Sequence, residues 1–495
     1  MPHTVRSLAL VALLACLTGC FGKDDRPVQI VAIGDPQSLF SADARMPHAA
    51  RLLRAATVEG LVAFDEKGNV VPALADRWIV TDDGLSYIFR LRDGKWGDRS
   101  PITAESAQAS LQQAIAAQRG QPLGSNIAVI DEIKAMAGRV IEIRLHQPMP
   151  DFLQLLAQPE LGLVHNRRGA GPMTSKRTSD KEIKLSGVLL RPIAPEDRGL
   201  PAEEGWQEHT RRLRFSASSA QTALKLFAAG DIDLVLGGTF ADYPRIDSAG
   251  ISFGSVRFDP VQGLFGLSVV HGDGLLSLPE NREAIAMAID REALSSMINL
   301  GGWTATTRVV TPGLDGDNGS VGERWVGRTI EERRALATSR IARWKGGTRN
   351  IGPLRIAMAS GPGNDLLFER IAQDLKAIGL DTRRVATGAD ADLRLVDVVA
   401  RYAAPAWFLD QLACSGTNKL CNQTADQLVD KALIEPDPLK RADFYASAEA
   451  QLTITNSYIP FGVPVRWSLI SASISGFAPN RWAIHPLMPM AILPK

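Results

Sequence analysis

Residues 72–105 read PALADRWIVTDDGLSYIFRLRDGKWGDRSPITAE, and the reading of the fold starts there. Residues 78–80 and 87–91 are apolar runs of strand length and composition. Between them, Asp82-Asp83-Gly84 places a glycine where a tight turn needs a positive φ, so the two runs predict a hairpin. Thr103 then stands before Ala104, Ala107, Leu111, Ala114 and Ile115, which share one face at helical spacing. This predicts a helix capped by Thr103 and stopped by Gly120.

Outward from this segment the chain alternates strands and helices. Residues 28–33 form a short apolar strand, and a helical stretch from about Ala49 leads to Glu59-Gly60-Leu61-Val62. Residues 65–69 form a turn. Residues 166–212, rich in glycine, proline and charge, are expected to be loop. Around 218–236 come a serine cap, a short helix, Gly230 as its stop and a strand. Residues 280–289 predict a helix, and Asp290 is placed to cap the next, which runs through Ile298. Residues 354–359, 365–378 and 380–385 predict a β-α-β unit, whose crossover suits a parallel sheet with covered faces. Helices are expected at about 424–434 and 438–453, and strand and loop in the last thirty residues.

The amino terminus reads as a targeting segment. Arg6 is followed by an apolar run, residues 8–17, of about the ten residues of a signal sequence and too short to span a bilayer. It ends in Leu17-Thr18-Gly19-Cys20, which resembles the lipobox of bacterial lipoproteins, so residues 1–19 are expected to be removed and Cys20 to carry lipid. Removing them takes Arg6 and no acid and leaves basic and acidic residues equal at 54. A balanced chain gives no electrostatic case for nucleic acid. The chain has four cysteines. Beyond Cys16 and Cys20 only Cys414 and Cys421 remain, and in an oxidising compartment they are expected to form a disulfide. A metal pair fits less well, since the spacing is not CxxC and no histidine lies nearby. At 495 residues the chain is too long for one ordinary core, and two or three lobes are expected.

No catalytic constellation stands out: there is no Gly-x-Ser-x-Gly elbow, no His-Glu-x-x-His and no phosphate-binding loop. Ser360-Gly361-Pro362-Gly363-Asn364 lacks the lysine of such a loop and reads as a β-α turn. Asp315-Gly316-Asp317-Asn318-Gly319 lacks the twelfth-position glutamate of a calcium loop. The histidines are dispersed without ligand spacing. The chain is therefore expected to be no enzyme and to hold no metal or cofactor.

Several segments together resemble the family 5 extracellular solute-binding proteins, which include the oligopeptide- and dipeptide-binding proteins of bacterial ABC importers. They are residues 59–62, 72–78, 82–94, 101–105, 169–172, 229–233 and 282–294, with Tyr458-Ile459-Pro460 and Gly476-Phe477 near the end. The resemblance implies an α/β, two-lobed periplasmic-binding-protein-like fold of class II type with an extra inserted domain. By analogy the tether is 20–26, lobe I is 27–49, 164–262 and 468–495, the inserted domain is 50–163, and lobe II is 263–467. It implies a lipid-anchored, exported substrate-binding protein of the cell envelope, expected as a monomer. Such a protein captures a peptide or other small solute by hinge closure and delivers it to an ABC permease. An envelope sensor or scaffold, or a hydrolase on the same fold, is the alternative.

The chain departs from the family at residues 401–405. In peptide-binding members this loop resembles Ala-Asp-Tyr-x-Asp/Glu-Pro, whose first acid pairs with the peptide's α-ammonium group. Here Arg401 stands at that acid and Ala404 at the second. An arginine repels an ammonium and suits a carboxylate or phosphate. Arg401 either meets the ligand or turns to solvent or Asp397, with another acid such as Asp410 serving. The expected ligand wall is Arg401, Tyr402 and Trp407, closed from the opposite side by Arg466 and Trp467. Arg99 and Ser106 also depart from the family's glycine and acid, where turn and cap geometry are at stake.

Overall fold

The computed structural model describes residues 26–41, 43–179, 185–346, 352–415 and 420–494. Cys20 and the segment 1–19 lie outside them.

The hairpin forms as the sequence dictates. Ala75–Val80 pairs antiparallel with Ser86–Leu91, and Gly84 turns with φ 69°. The following helix, Ala104–Ala117, is capped by Thr103, whose side chain accepts from the Ser106 N–H at 3.1 Å. The Ser106 hydroxyl in return accepts from the Thr103 N–H at 3.0 Å, so serine closes the capping box in place of an acid. Arg99 sits at φ 71°, the left-handed region that glycine takes without strain.

Three large sheets organise the described residues. The hairpin strands join Val140–Leu145 and Ile130–Met136 in a four-stranded antiparallel sheet. A seven-stranded sheet runs in the order Val256–Phe258, Arg466–Ile470, Leu234–Thr239, Val28–Ile33, Leu213–Ser218, Ser186–Pro192, Met173–Ser179. A five-stranded sheet runs Thr382–Val385, Leu354–Ala357, Leu393–Val399, Gly263–Val269, Tyr458–Gly462. Leu354–Ala357 and Thr382–Val385 pair in parallel across the helix Pro362–Lys376, as the β-α-β spacing requires.

Within residues 166–212 the expectation of loop fails over two stretches. Met173–Ser179 and Ser186–Pro192 form an antiparallel pair at the edge of the seven-stranded sheet. Most of Met173–Ser179 is exposed, so its polar composition hid the strand from an apolar-pattern reading.

The chain crosses from the seven-stranded to the five-stranded sheet between Phe258 and Gly263, and returns between Gly462 and Arg466. The boundary expected at 467/468 falls inside the strand Arg466–Ile470. Arg291 fixes the return. Its buried guanidinium donates to the Pro460 carbonyl from both Nε, at 3.0 Å, and Nη2, at 2.7 Å. Burial, then Arg333 and Arg324, pull its pKa down to about 9.

The loop following the helix Arg291–Ile298 is tied down by charge. Arg308 reaches Glu449 at 2.8 Å and Asp317 at 2.9 Å, and all three are almost wholly buried. Asp317 is thus a structural partner of arginine rather than part of a calcium loop. Cys414 and Cys421 are joined by a disulfide whose Cα atoms are 5.0 Å apart. Closing so small a loop limits the unfolded chain and contributes roughly 2–3 kcal/mol.

Candidate functional site

A cavity of about 280 Å³ lies beside the two crossing segments, between the seven- and five-stranded sheets. Its walls come from distant parts of the chain. Gly237, Gly238 and Thr239 end one strand of the seven-stranded sheet; residues 397–399 end one strand of the five-stranded sheet, and Ala400 and Arg401 follow it. His48 and Arg51 lie one turn apart on the helix His48–Thr57, and Gln158 precedes a short turn of 3-10 helix, Pro159–Leu161. The loop 482–485 completes the wall.

That loop is built onto a crossing segment. Asp259 accepts from the Asn480 N–H at 3.0 Å and lies 3.2 Å from His485 Nε2. Asn480 in turn gathers the loop, donating to the Ile484 carbonyl at 2.8 Å and accepting from the Trp482 N–H at 3.1 Å.

Ion pairs and hydrogen bonds join the elements at and behind the cavity wall. Arg466, at the start of its strand, donates to Asp397 of the facing sheet at 2.7 Å and to the Asp397 carbonyl at 3.1 Å. Arg401 donates to Glu160 at 3.1 Å, and Arg51 lies 3.7 Å from the same carboxylate oxygen. Gln158 donates to the Arg401 carbonyl at 3.0 Å, and the Ala403 N–H donates to Gln154 at 3.0 Å. Arg54 fixes the Glu160 turn by donating to the Pro159 and Gly162 carbonyls. Burial alone raises the Glu160 carboxyl, but Arg51 and Arg401 on either side outweigh it and hold it below the usual range. His48 is pulled down to about 3, by burial first and then by Arg51, His485 and Arg466, so its imidazole is neutral at physiological pH.

Of the five expected wall residues, the structure brings Arg401, Arg466 and Trp467 to the cavity. Arg401 turns neither to solvent nor to Asp397 but to Glu160. Trp467 backs the wall with its ring wholly buried over Gly238 and its N–H donated to the Thr239 carbonyl at 2.9 Å. Tyr402 and Trp407 are not at the cavity. Both are buried in the apolar core, Tyr402 bonding Asp410 at 3.3 Å and Trp407 packing edge-on against Phe408. Their apolar bodies are better placed among the helices that follow than in a wet cleft. Sequence reasoning missed His48, Arg51, Gln158, Glu160, Trp482 and His485. His48 and Arg51 carry the one available signal, an i, i+3 pair on an amphipathic helix.

Asp410, behind the cavity loop, is buried with the Tyr402 hydroxyl as partner. Burial, reinforced by Asp426 and Asp430, pushes its pKa up to about 7. The folded state therefore binds a proton that the unfolded chain releases near pH 3.8. Stability from this group is complete below that value and lost as pH rises through about 7. Asp410→Asn should raise stability at pH 8 by on the order of 1–3 kcal/mol and change it little at about pH 4.5. Urea midpoints at the two pH values check this; equal gains at both would contradict it.

The sequence model for bacterial extracellular solute-binding proteins, family 5, matches residues 69–189 and 204–418. The chain belongs to that family. Family 5 membership makes it a binding protein of the extracellular compartment rather than an enzyme. Among curated relatives, it is 25% identical over 477 residues to the probable deoxycholate-binding periplasmic protein YgiS of Escherichia coli, covering 85% of this chain and 84% of that protein. It is 24% identical over 464 residues to the periplasmic oligopeptide-binding protein OppA of Salmonella typhimurium, with the same coverage. Among solved structures, the murein tripeptide binding protein MppA of Escherichia coli superposes with a TM-score of 0.81 at 20% identity. It covers 95% of this chain and 99% of that one. At that identity the likeness shows the fold: α/β and two-lobed. No helix among the described residues is long and apolar enough to cross a membrane.

Proposed function

We propose that this family 5 protein captures a peptide or peptide-like solute in the cavity between its two sheets and hands it to the permease of an ABC importer. Two open strand edges carry the reading. Leu393–Val399 pairs along its whole length with Gly263–Val269, but on its other side only Leu393 and Arg394 meet Leu354–Ala357. Leu234–Thr239 meets Val28–Ile33 only as far as Leu236. The strand ends left over, residues 397–399 and 237–239, both line the cavity. An extended amide backbone between them would find N–H and C=O groups on both sides, the way strand addition binds peptides.

The seven-stranded sheet then serves as the core of lobe I, the five-stranded sheet as that of lobe II, and the four-stranded sheet as that of the inserted domain. The two crossing segments form the hinge. A solute touching both lobes stabilises the closed form, because its contacts are complete only there. The pair Arg466–Asp397 supports this reading, since it joins the two sheets that flank the cavity.

A thermal-shift screen of the domain lacking Cys20 against di- and tripeptides, both free and N-acylated, tests the function. A solute at a hundred times its Kd stabilises the fold by about 2.7 kcal/mol, enough to raise the melting midpoint measurably. If no member of the library raises the midpoint, the peptide reading fails.

The anchor belongs to the same proposal. Lipid on Cys20 would hold the protein at the envelope membrane. Cys20→Ser should move it from the membrane fraction to the soluble fraction of lysed cells, read by immunoblot. Unchanged membrane association would place the anchor elsewhere.

A further inference from the structure

The cavity's charges are unevenly used. The carboxylates that line the cavity already hold donors: Asp397 has Arg466, and Asp259 has the Asn480 N–H and His485. Glu160, behind the wall, accepts from Arg401 through one oxygen, while its other oxygen is buried without a partner among the described residues. Glu160 itself does not line the cavity. On the donor side, Arg51 Nε lies 3.7 Å from Glu160, beyond hydrogen-bond reach, and is buried with no hydrogen-bond acceptor among the described residues; His48 Nε2 on the same wall is likewise without a partner. Gln158, 2% exposed, has its Oε1 buried without a donor, and both residues line the cavity. A buried polar atom without a partner is costly, and a cluster of them on one cavity wall marks what a ligand must supply. Here it must supply an acceptor to Arg51 and a donor to Gln158.

The helix under Arg51 adds to the preference. It begins at His48 on the cavity wall, and no side chain caps its first turn. Its amino-terminal end carries positive partial charge that favours an anion.

Resting on the reading of the cavity as the solute site, we propose that the solute is a small carboxylate-bearing molecule without a free α-ammonium group. Arg51 receives its carboxylate, and Gln158 accepts an N–H or O–H from it. Arg401, on the same wall, adds a second guanidinium that favours a carboxylate and repels an ammonium. The cavity volume of about 280 Å³, just below the roughly 300–1,000 Å³ of ligand sites, restricts the solute to a small one.

The test offers one dipeptide library in three end-capped forms to the domain lacking Cys20: N-acetylated with a free carboxylate, amidated with a free amine, and capped at both ends. Native mass spectrometry reads what is retained. The acid-bearing form should bind at least about tenfold more tightly than the amine-bearing form, and Arg51→Gln should erase that difference. Arg51→Lys, which keeps the charge but not the fork, should retain part of it and controls for loss of fold. Equal or tighter binding of the amine-bearing form overturns the proposal, as does retention of no acid-bearing member, or an Arg51→Gln protein with undiminished preference. The solute-binding reading stands or falls separately, on whether a solute of any class is carried by the protein purified from cells.

Discussion

Glu449→Ala should be among the most destabilising single changes in the molecule. Glu449 is 1% exposed and accepts from Arg308 Nη2 at 2.8 Å and from the Val309 and Val310 N–H groups at 2.9 and 3.0 Å. Truncation leaves a buried guanidinium with Asp317 alone and two buried N–H groups with no acceptor. Breaking a buried ion pair from one side costs about 3–5 kcal/mol, because the remaining charge is uncompensated. Arg308→Ala should cost a similar amount, since two buried carboxylates are then left together. The double variant should cost clearly less than the sum, as expected for residues sharing one network. Urea denaturation of the three variants measures this. Strictly additive losses would show that the triad does not act as a unit.

Trp467→Ala should cost nearly as much, and should also reach the site. The indole is 0% exposed, and a Cβ placed on Gly238 would lie 2.1 Å from it, so ring and backbone are in close contact. Removing a fully buried tryptophan costs about 3–5 kcal/mol through lost transfer energy and the space left behind. That space opens directly behind the cavity wall, so solute affinity should fall as well. Trp467→Phe keeps most of the volume but leaves the Thr239 carbonyl without its donor, at about 1–3 kcal/mol. Thermal melts give the order wild type, Phe, Ala. An Ala variant as stable as the Phe variant would mean that packing over Gly238 matters little.

The sequence showed those parts of the fold in which the signal is local. The turn at Gly84, the cap at Thr103 and the β-α-β unit at 354–385 each depend on neighbours a few residues apart. Met173–Ser179 escaped because an exposed edge strand shows no apolar face. The cavity escaped for a different reason. Arg401 and Glu160 are separated by 241 positions, and nothing near Arg401 announces its partner. Tyr402 and Trp407 were credible ligand contacts by residue type, yet the same aromatic bulk suits a core. Their positions follow from packing against the helices Gln423–Ile434 and Pro438–Thr455, which a one-dimensional reading cannot supply. Trp467, by contrast, lies on a crossing strand, and its place beside the site was legible from the fold alone.

The central claim is that the cavity between the two sheets is where this protein holds its solute. Native mass spectrometry of protein purified from the cell envelope tests it directly, with wild type measured beside Val398→Trp. Val398 lines the cavity and is 44% exposed, so the larger ring fills the space without displacing core. The account predicts one small solute bound per wild-type chain, released on unfolding, and none on the folded Val398→Trp variant. A wild-type chain that never carries a solute, or a variant that carries it undiminished, would contradict it.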